Sequence, residues 1–385
     1  MFAVIIILTL LPQVPALDNF SQSIASSGAI NHTPERAVGV NYLSTYHLYS
    51  AKYTTNAALN RDFSKFNQDG ISVINLSLYW YRLEGNTRGS YNGTLPDGSY
   101  YGDRFLDDVK RVTAIANQYG IKVQISFHTL WGNDDSPWCT PNYVIDPVTG
   151  NNTGLAIVRS DEMRQAFIAM FTHAVTYLAG TPGIMGWAIL NEPWYWGRTS
   201  NEHDFITNNG QTQKENFITL FQELSNIVKT LDGRPTTVRF CNTHTWTDSD
   251  GTPHLKNIFV EDWGWDQRIF NALDFISLNA YMPPNSQLET TWRTMTSINV
   301  LESSEKNKQV WVAEFGLNSS DEREQADAFE HTMSFYASLP ISGIVAWQWT
   351  SGIVSDANSQ SSWNICADGK TGSGKPAYEI LTTPL

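Results

Sequence analysis

The 385-residue chain has few cysteines, fewer basic than acidic residues and few long apolar runs. Each of these shortages argues against a class of site or partner. Its three cysteines, Cys139, Cys241 and Cys366, lack C-x-x-C spacing, so they allow at most one intramolecular disulfide and predict no structural zinc site. Lys and Arg number 25 against 38 Asp and Glu, a formal net charge of −13. Because phosphate backbones and anionic lipid surfaces are bound by clustered basic side chains, we expect neither nucleic acid nor a membrane as a partner.

One segment at the start of the chain has the composition of a targeting signal. Residues 2–11 are almost wholly apolar, and Val14, Pro15 and Ala16 supply small residues for cleavage. The usual positive charge is missing, since the first basic residue is Arg36. We interpret 1–16 as a signal peptide, with an uncleaved anchor as the alternative, and the serine-rich stretch 17–35 as an arm or linker. The protein is therefore expected to be secreted and extracellular.

The remainder, 36–385, alternates short apolar runs with amphipathic stretches. Eight runs have the length and composition of buried strands: 37–42, 71–78, 122–127, 184–190, 236–240, 275–278, 310–313 and 344–348. Helical periodicity covers most of the intervals: 56–68, 105–119, 161–178, 215–231, 287–303 and 322–339. This alternation predicts an α/β fold, a (β/α)8 TIM barrel in one domain, rather than a doubly wound sheet.

Two of the predicted strands end in a carboxylate. Glu192 follows the fourth strand in the sequence Asn191-Glu192-Pro193, and Glu314 follows the seventh in the sequence VWVAEFG. Carboxyl ends of parallel strands meet at the active-site face of a barrel, so we predict that both side chains converge there. Such a pair suits glycoside hydrolysis, in which one carboxyl group protonates the leaving oxygen and the other attacks the anomeric carbon. The alternative, two solvated strand-end glutamates, is disfavoured by their equal level in the sheet.

These motifs resemble glycoside hydrolase family 5 of clan A, the cellulase and mannanase family, over roughly residues 37–349. The resemblance implies that Glu192 is the proton donor and base and Glu314 the nucleophile of a retaining enzyme. Asn191 would hydrogen-bond the sugar 2-hydroxyl. It further implies three substrate-binding residues: His128 near subsite −1, Tyr281 on the nucleophile, and Trp347 as the floor of that subsite.

Two positions depart from the family pattern. Asn75 stands where the second strand normally ends in an arginine that contacts the nucleophile, and Asn279 stands where a histidine is usual. Both are candidate substrate-binding residues, as are Trp131 and His244 in the loops after strands three and five. Arg82, which follows Asn75 by seven residues, is the candidate for the missing charge beside Glu314.

The sequence thus predicts a secreted, monomeric, retaining endo-β-1,4-glycanase that needs neither cofactor nor metal. Its expected partner is a polysaccharide: cellulose-type β-glucan first, β-mannan second and xylan third. Fourteen tryptophans favour a sugar-binding cleft lined by about a third of them, since indole faces stack on sugar rings. The non-enzymatic alternative is an inactive carbohydrate-binding barrel, which the departures at Asn75 and Asn279 motivate.

Overall fold

The computed structural model describes residues 36–43, 54–96, 98–128, 140–193, 210, 212–248, 250–283, 286–350, 365–366 and 374–383. The predicted signal peptide, the arm and Trp131 lie outside these residues. Within them, no helix has both the length and the apolar character needed to span a bilayer.

Eight parallel strands close into a barrel. They are β1 (Ala37–Leu43), β2 (Val73–Leu78), β3 (Lys122–Phe127), β4 (Ile184–Asn191), β5 (Thr236–Cys241), β6 (Ile276–Asn279), β7 (Val310–Glu314) and β8 (Gly343–Thr350). Each strand pairs with the next along the chain, and β8 returns to pair with β1, with Val38 opposite Ile344. The predicted (β/α)8 TIM barrel is confirmed.

Helices fill the connections between strands. They are α1 (Asn56–Gln68), α2 (Trp80–Glu84), α3 (Asp103–Gln118), α4 (Ala156–Arg159), α5 (Asp161–Leu178), α6 (Gln213–Leu231), α7 (Ile258–Trp263), α8 (Gln267–Ala272), α9 (Ser286–Glu305), α10 (Glu322–Ala337) and α11 (Pro376–Thr382). Several begin where the sequence supplies a capping oxygen: Thr55, Ser160, Thr212 and Asp321 each accept a backbone N–H from the first turn. Capping satisfies donors that the helix itself leaves unpaired, so these residues fix where each helix begins.

The core lies between the barrel and its helices and is rich in aromatic side chains. Phe127 of β3, for example, packs on Phe171 of α5 with ring centroids 4.5 Å apart. Among the described residues, five tryptophans are fully buried: Trp80, Trp187, Trp263, Trp292 and Trp349. Packing therefore accounts for much of the tryptophan content that composition alone associates with a sugar cleft.

Two loops at the carboxyl ends of strands contain structure that the strand–helix alternation does not predict. After β2 the chain forms α2 and a short hairpin of Asn92–Thr94 with Tyr100–Gly102. The buried carboxylate of Glu84 holds this segment, because it accepts from Trp80 Nε1 at 2.7 Å and from the Gly89 backbone. After β5, a second hairpin pairs His244–Thr247 with Pro253–Lys256.

Candidate active site

The two predicted carboxylates lie together at the carboxyl end of the barrel. Glu192 directly follows β4 and Glu314 is the last residue of β7, and their exposed fractions are 5% and 4%. Burial of this degree excludes bulk water and strengthens every charge interaction between the groups around them. The reading of both glutamates as solvated strand-end residues is therefore wrong.

Glu192 is held in an unusual backbone conformation. Its φ of 47° lies in the left-handed region, which costs a non-glycine residue roughly 1–3 kcal/mol and occurs preferentially at functional sites. Its N–H donates to the carbonyl of Arg239 at 2.7 Å, and its Oε1 accepts from Asn279 Nδ2 at 2.9 Å. The Cys241 thiol at the end of β5 also hydrogen-bonds Glu192, and burial, reinforced by Glu192, raises the thiol pKa well above its usual value.

Glu314 accepts hydrogen bonds on both carboxylate oxygens. Arg239 Nη2 donates to Oε1 at 2.7 Å and the Tyr281 hydroxyl donates to Oε2 at 2.7 Å. Burial raises the pKa of Glu314 from its usual 4.5 to about 7, and the negative charge of Glu192 adds to the rise. The positive charge of Arg239 and the hydrogen bonds from Tyr281 and Asn279 act in the opposite direction and lower this pKa. The ionised form thus depends on donors supplied by two other strands.

Asn279 at the end of β6 connects the two carboxylates. Its Nδ2 lies 2.9 Å from Glu192 Oε1 and 3.3 Å from Asn191 Oδ1, and its side chain also hydrogen-bonds Glu314. An amide nitrogen supplies the donors that a histidine at this position would supply. The departure at Asn279 therefore leaves the carboxylates hydrogen-bonded.

His128 follows β3 and faces the same region. Its Nε2 lies 3.0 Å from the Ser77 hydroxyl, and its ring is 5.6 Å from that of Tyr79. Burial, assisted by the charge of Arg239, lowers the pKa of His128 well below its usual value. The imidazole is therefore neutral at physiological pH and can donate from one nitrogen and accept on the other.

The arginine beside Glu314 lies in the predicted fifth strand but was not among the candidate residues. Arg239 lies within β5 and is fully buried, whereas Arg82 in α2 donates to Ser99 at 2.5 Å. The hypothesis that Arg82 supplies this charge is wrong. A charged residue inside the apolar run Thr-Thr-Val-Arg-Phe-Cys is the signal that could have identified Arg239, because arginines are almost never fully buried unless paired.

The structure brings some of the other predicted residues to the site and sets others apart. Asn75 is fully buried and donates to Asn41 Oδ1 at 2.9 Å. Trp347 is partly buried on β8, where its peptide bond to Gln348 is cis. His244 is partly buried at the start of the second hairpin. In the described part of the chain, no group of three His, Cys, Asp or Glu side chains could hold a metal ion.

No protein-family profile and no curated protein sequence matches the chain. Solved structures do align with it. An endo-1,4-β-D-mannanase from Thermotoga petrophila RKU-1 gives a TM-score of 0.64 at 16% identity and covers 90% of this chain and 98% of its own. An exo-β-1,4-mannosidase from Opitutaceae bacterium strain TAV5 gives 0.64 at 13% identity, with 93% and 60% covered. A GH5_18 protein from Streptomyces cattleya in complex with GlcNAc gives 0.63 at 13%, with 90% and 79% covered. At such identities the likeness establishes a shared fold.

Proposed function

We propose that the protein is a divergent member of glycoside hydrolase family 5 that cleaves β-1,4-linked glycans with net retention. The observation that carries the proposal is the buried pair Glu192 and Glu314 at the ends of β4 and β7, bridged by Asn279. One small amide between the two carboxylates fits the separation of about 5–5.5 Å in retaining enzymes better than the roughly 6.5–9.5 Å of inverting ones.

The pairing of Glu314 with Arg239 supports the proposed roles of the two carboxylates. Arg239 pairs with Glu314, and a positive charge at 2.7 Å favours the ionised form that a nucleophile requires. In the first step a Glu314 oxygen bonds to the anomeric carbon while the glycosidic bond breaks, and Glu192 gives its proton to the leaving oxygen. In the second step Glu192 takes a proton from water, whose oxygen attacks the anomeric carbon and releases Glu314.

Neighbouring side chains orient these steps. Tyr281 and Arg239 hold both oxygens of Glu314, which limits its rotation before attack. The contact of Asn191 with Asn279 supports its proposed hydrogen bond to the sugar 2-hydroxyl, an interaction that strengthens in the transition state. Burial of the site raises the strength of all these interactions relative to water.

Among substrates, we place β-mannan first and cellulose-type β-glucan second. The sequence analysis favoured glucan, but the aligned structures quoted above include a mannanase and a mannosidase. The 2-hydroxyl is axial in mannose and equatorial in glucose, so the choice depends on groups around Asn191. The proposed endo action and extracellular location rest on the sequence alone.

The test compares purified protein with three variants on mannan, carboxymethyl-cellulose and xylan. Glu192→Gln and Glu314→Gln should each lower kcat by about 10³-fold or more, because each removes a group that acts in both steps. Glu322→Gln, an exposed change at the start of α10, should keep full activity. Product sizes from mannan then separate internal cleavage from removal of end units.

Stereochemistry gives an independent check. Proton NMR during hydrolysis of a defined oligosaccharide should show the β-anomer first, before mutarotation. First appearance of the α-anomer would contradict the double displacement. A wild-type protein that binds these glycans but hydrolyses none of them would instead support the inactive binding barrel.

A further inference from the structure

Arg239 crosses the interior of the barrel beneath the carboxylates. From β5, its guanidinium reaches the other three odd-numbered strands. Nη2 donates to Asn41 Oδ1 of β1 at 3.1 Å and to the Ala313 carbonyl of β7 at 2.6 Å. Nη1 lies 3.4 Å from Ser126 Oγ of β3. Alternate strands of a TIM barrel contribute side chains to a common layer. The arginine thus occupies the odd-strand layer directly under the site.

The same residue is hydrogen-bonded to the side chain of Glu314 and to the backbone of Glu192. Its side chain pairs with Glu314, and its backbone carbonyl accepts the N–H of Glu192 at 2.7 Å. A change in the position of β5 would therefore move the two groups together. This arrangement ties their separation to one residue.

A second set of hydrogen bonds links Arg239 to Asn75, the position where the family pattern has an arginine. Asn75 of β2 donates to Asn41 Oδ1, the same oxygen that accepts from Arg239. Asn41 Nδ2 in turn donates to the carbonyls of Ala313 and Ala346. Asn75 therefore supports the arginine through Asn41 instead of carrying the charge itself.

We propose that Arg239 is the positioning residue for the nucleophile, and that the charge expected at the end of β2 has been exchanged to β5, with Asn75 and Asn41 holding it. This inference rests on the proposed function, since it concerns the step in which Glu314 attacks. Asparagine is too short to reach Glu314 from β2, whereas an arginine from β5 spans the interior to β7.

The charged and titratable groups that face Glu314 are Arg239, Glu192, Tyr281 and Cys241. Among them Arg239 is the cation. Without it, the burial that already raises the pKa of Glu314 would act with less opposition, so the carboxyl group would stay protonated to higher pH. A purely structural arginine would instead affect folding and leave the ionisation of the nucleophile unchanged.

The experiment measures kcat/KM against pH with an aryl glycoside whose leaving group needs no protonation. In Arg239→Met the acidic limb should move up by about 1–3 pH units, because an opposite charge at this distance shifts a carboxyl pKa by that amount. Arg239→Lys keeps the charge but not the planar fork, so its limb should stay near that of the wild type while kcat falls about tenfold. Arg239→Gln replaces Arg239→Met if the latter does not fold.

Arg234→Met is the matched control. Arg234 lies five residues before Arg239, just ahead of the start of β5, and pairs with Asp232. Loss of Arg234 should therefore lower thermal stability and leave the acidic limb in place. A folded Arg239→Met or Arg239→Gln protein with the wild-type limb would overturn the proposal.

The exchange between strands has its own test. Asn75→Arg introduced into Arg239→Met should return the acidic limb at least halfway to the wild-type position. If the double variant folds but its acidic limb stays at the pH found for Arg239→Met, the proposed exchange of the charge between β2 and β5 is overturned. If the wild-type protein hydrolyses no glycoside, the proposed function fails, and a ¹³C NMR titration of the Glu314 carboxyl in wild type and Arg239→Met decides separately whether Arg239 favours its ionised form.

Discussion

The two ends of β5 each carry an arginine paired with a buried carboxylate, and the surroundings of the pairs differ. At the base, Asp232 accepts from the Gly180 N–H at 2.9 Å, from Trp187 Nε1 at 2.7 Å and from Arg234. At the mouth, Glu314 accepts from Arg239 and Tyr281 but also faces a second carboxylate, Glu192. The base pair is enclosed by donors, whereas at the mouth two like charges compete.

Unused hydrogen-bonding capacity occurs near the mouth but is not confined to it. Among the described residues near the mouth, Arg239 Nε, Asn75 Oδ1 and Asn279 Oδ1 are buried without a hydrogen-bond partner. Native proteins leave few such groups, since each costs free energy. The contrast between the two ends therefore rests on charge: the mouth brings two carboxylates together, whereas at the base one carboxylate is surrounded by donors.

The largest expected effect comes from neutralising one carboxylate at each end. Glu314→Gln should lower kcat by about 10³-fold or more, because the proposed nucleophile is lost. Asp232→Asn should leave kcat within about twofold but cost about 2 kcal/mol of unfolding free energy, since hydrogen bonds to a charged group contribute roughly that much. Enzyme assays beside urea unfolding measure both.

The stability of Glu314→Gln has a predictable sign. The pKa of Glu314 in the fold, about 7, lies above its usual 4.5, so its contribution to stability is fully present below about 4.5 and is lost as pH rises through 7. Gln also leaves the fully buried Arg239 without its charge partner, which costs stability at both low and high pH. The loss of unfolding free energy in Glu314→Gln relative to the wild type should therefore be smaller at pH 8 than at pH 5, which urea unfolding of both proteins at the two pH values measures. An equal loss at both pH values would contradict a raised pKa of Glu314.

The barrel and the two carboxylates could be predicted from the sequence, whereas the residues that surround the carboxylates could not. The barrel and both carboxylates follow from short apolar runs that end in Glu192 and Glu314, because strand ends in a barrel share one face. The fourth strand was predicted over 184–190, and the structure has it at Ile184–Asn191. Local patterning suffices for such features, since each depends on a few neighbouring residues.

The partners of the carboxylates could not be predicted in the same way. Arg239 meets Glu314 across 75 positions of chain, through a layer built by alternate strands. Neither periodicity nor spacing encodes which side chains meet inside a closed barrel. The family pattern pointed to Asn75 as the place where charge was missing, but it could not locate the replacement. The predicted roles of Asn191, His128, Tyr281 and Trp347 in sugar binding stay predictions.

A smaller effect is expected from removing one tyrosine hydroxyl at each end. Tyr281→Phe should lower kcat/KM about 10- to 100-fold, because a hydrogen bond to a charged group contributes roughly 1.5–3 kcal/mol. Tyr378→Phe is the matched change: its hydroxyl donates to Asp69 Oδ2 at 2.8 Å beside the carboxyl end of α1. That variant should lose stability and keep kcat/KM. Equal kinetic losses in both variants would mean that Tyr281 acts only through packing.

The last expected effect is the pH response of the wild-type protein itself. Since attack requires ionised Glu314 and its pKa is raised to about 7, kcat/KM on an activated aryl glycoside should fall about tenfold per pH unit below 7. Asp232→Asn should share this limb, because the base pair does not touch the nucleophile. Tyr281→Phe should move it upward, because the Tyr281 hydrogen bond lowers the pKa of Glu314. A wild-type profile that stays flat down to pH 5 would show that Arg239 and Tyr281 outweigh burial, and the contrast in ionisation between mouth and base would then disappear.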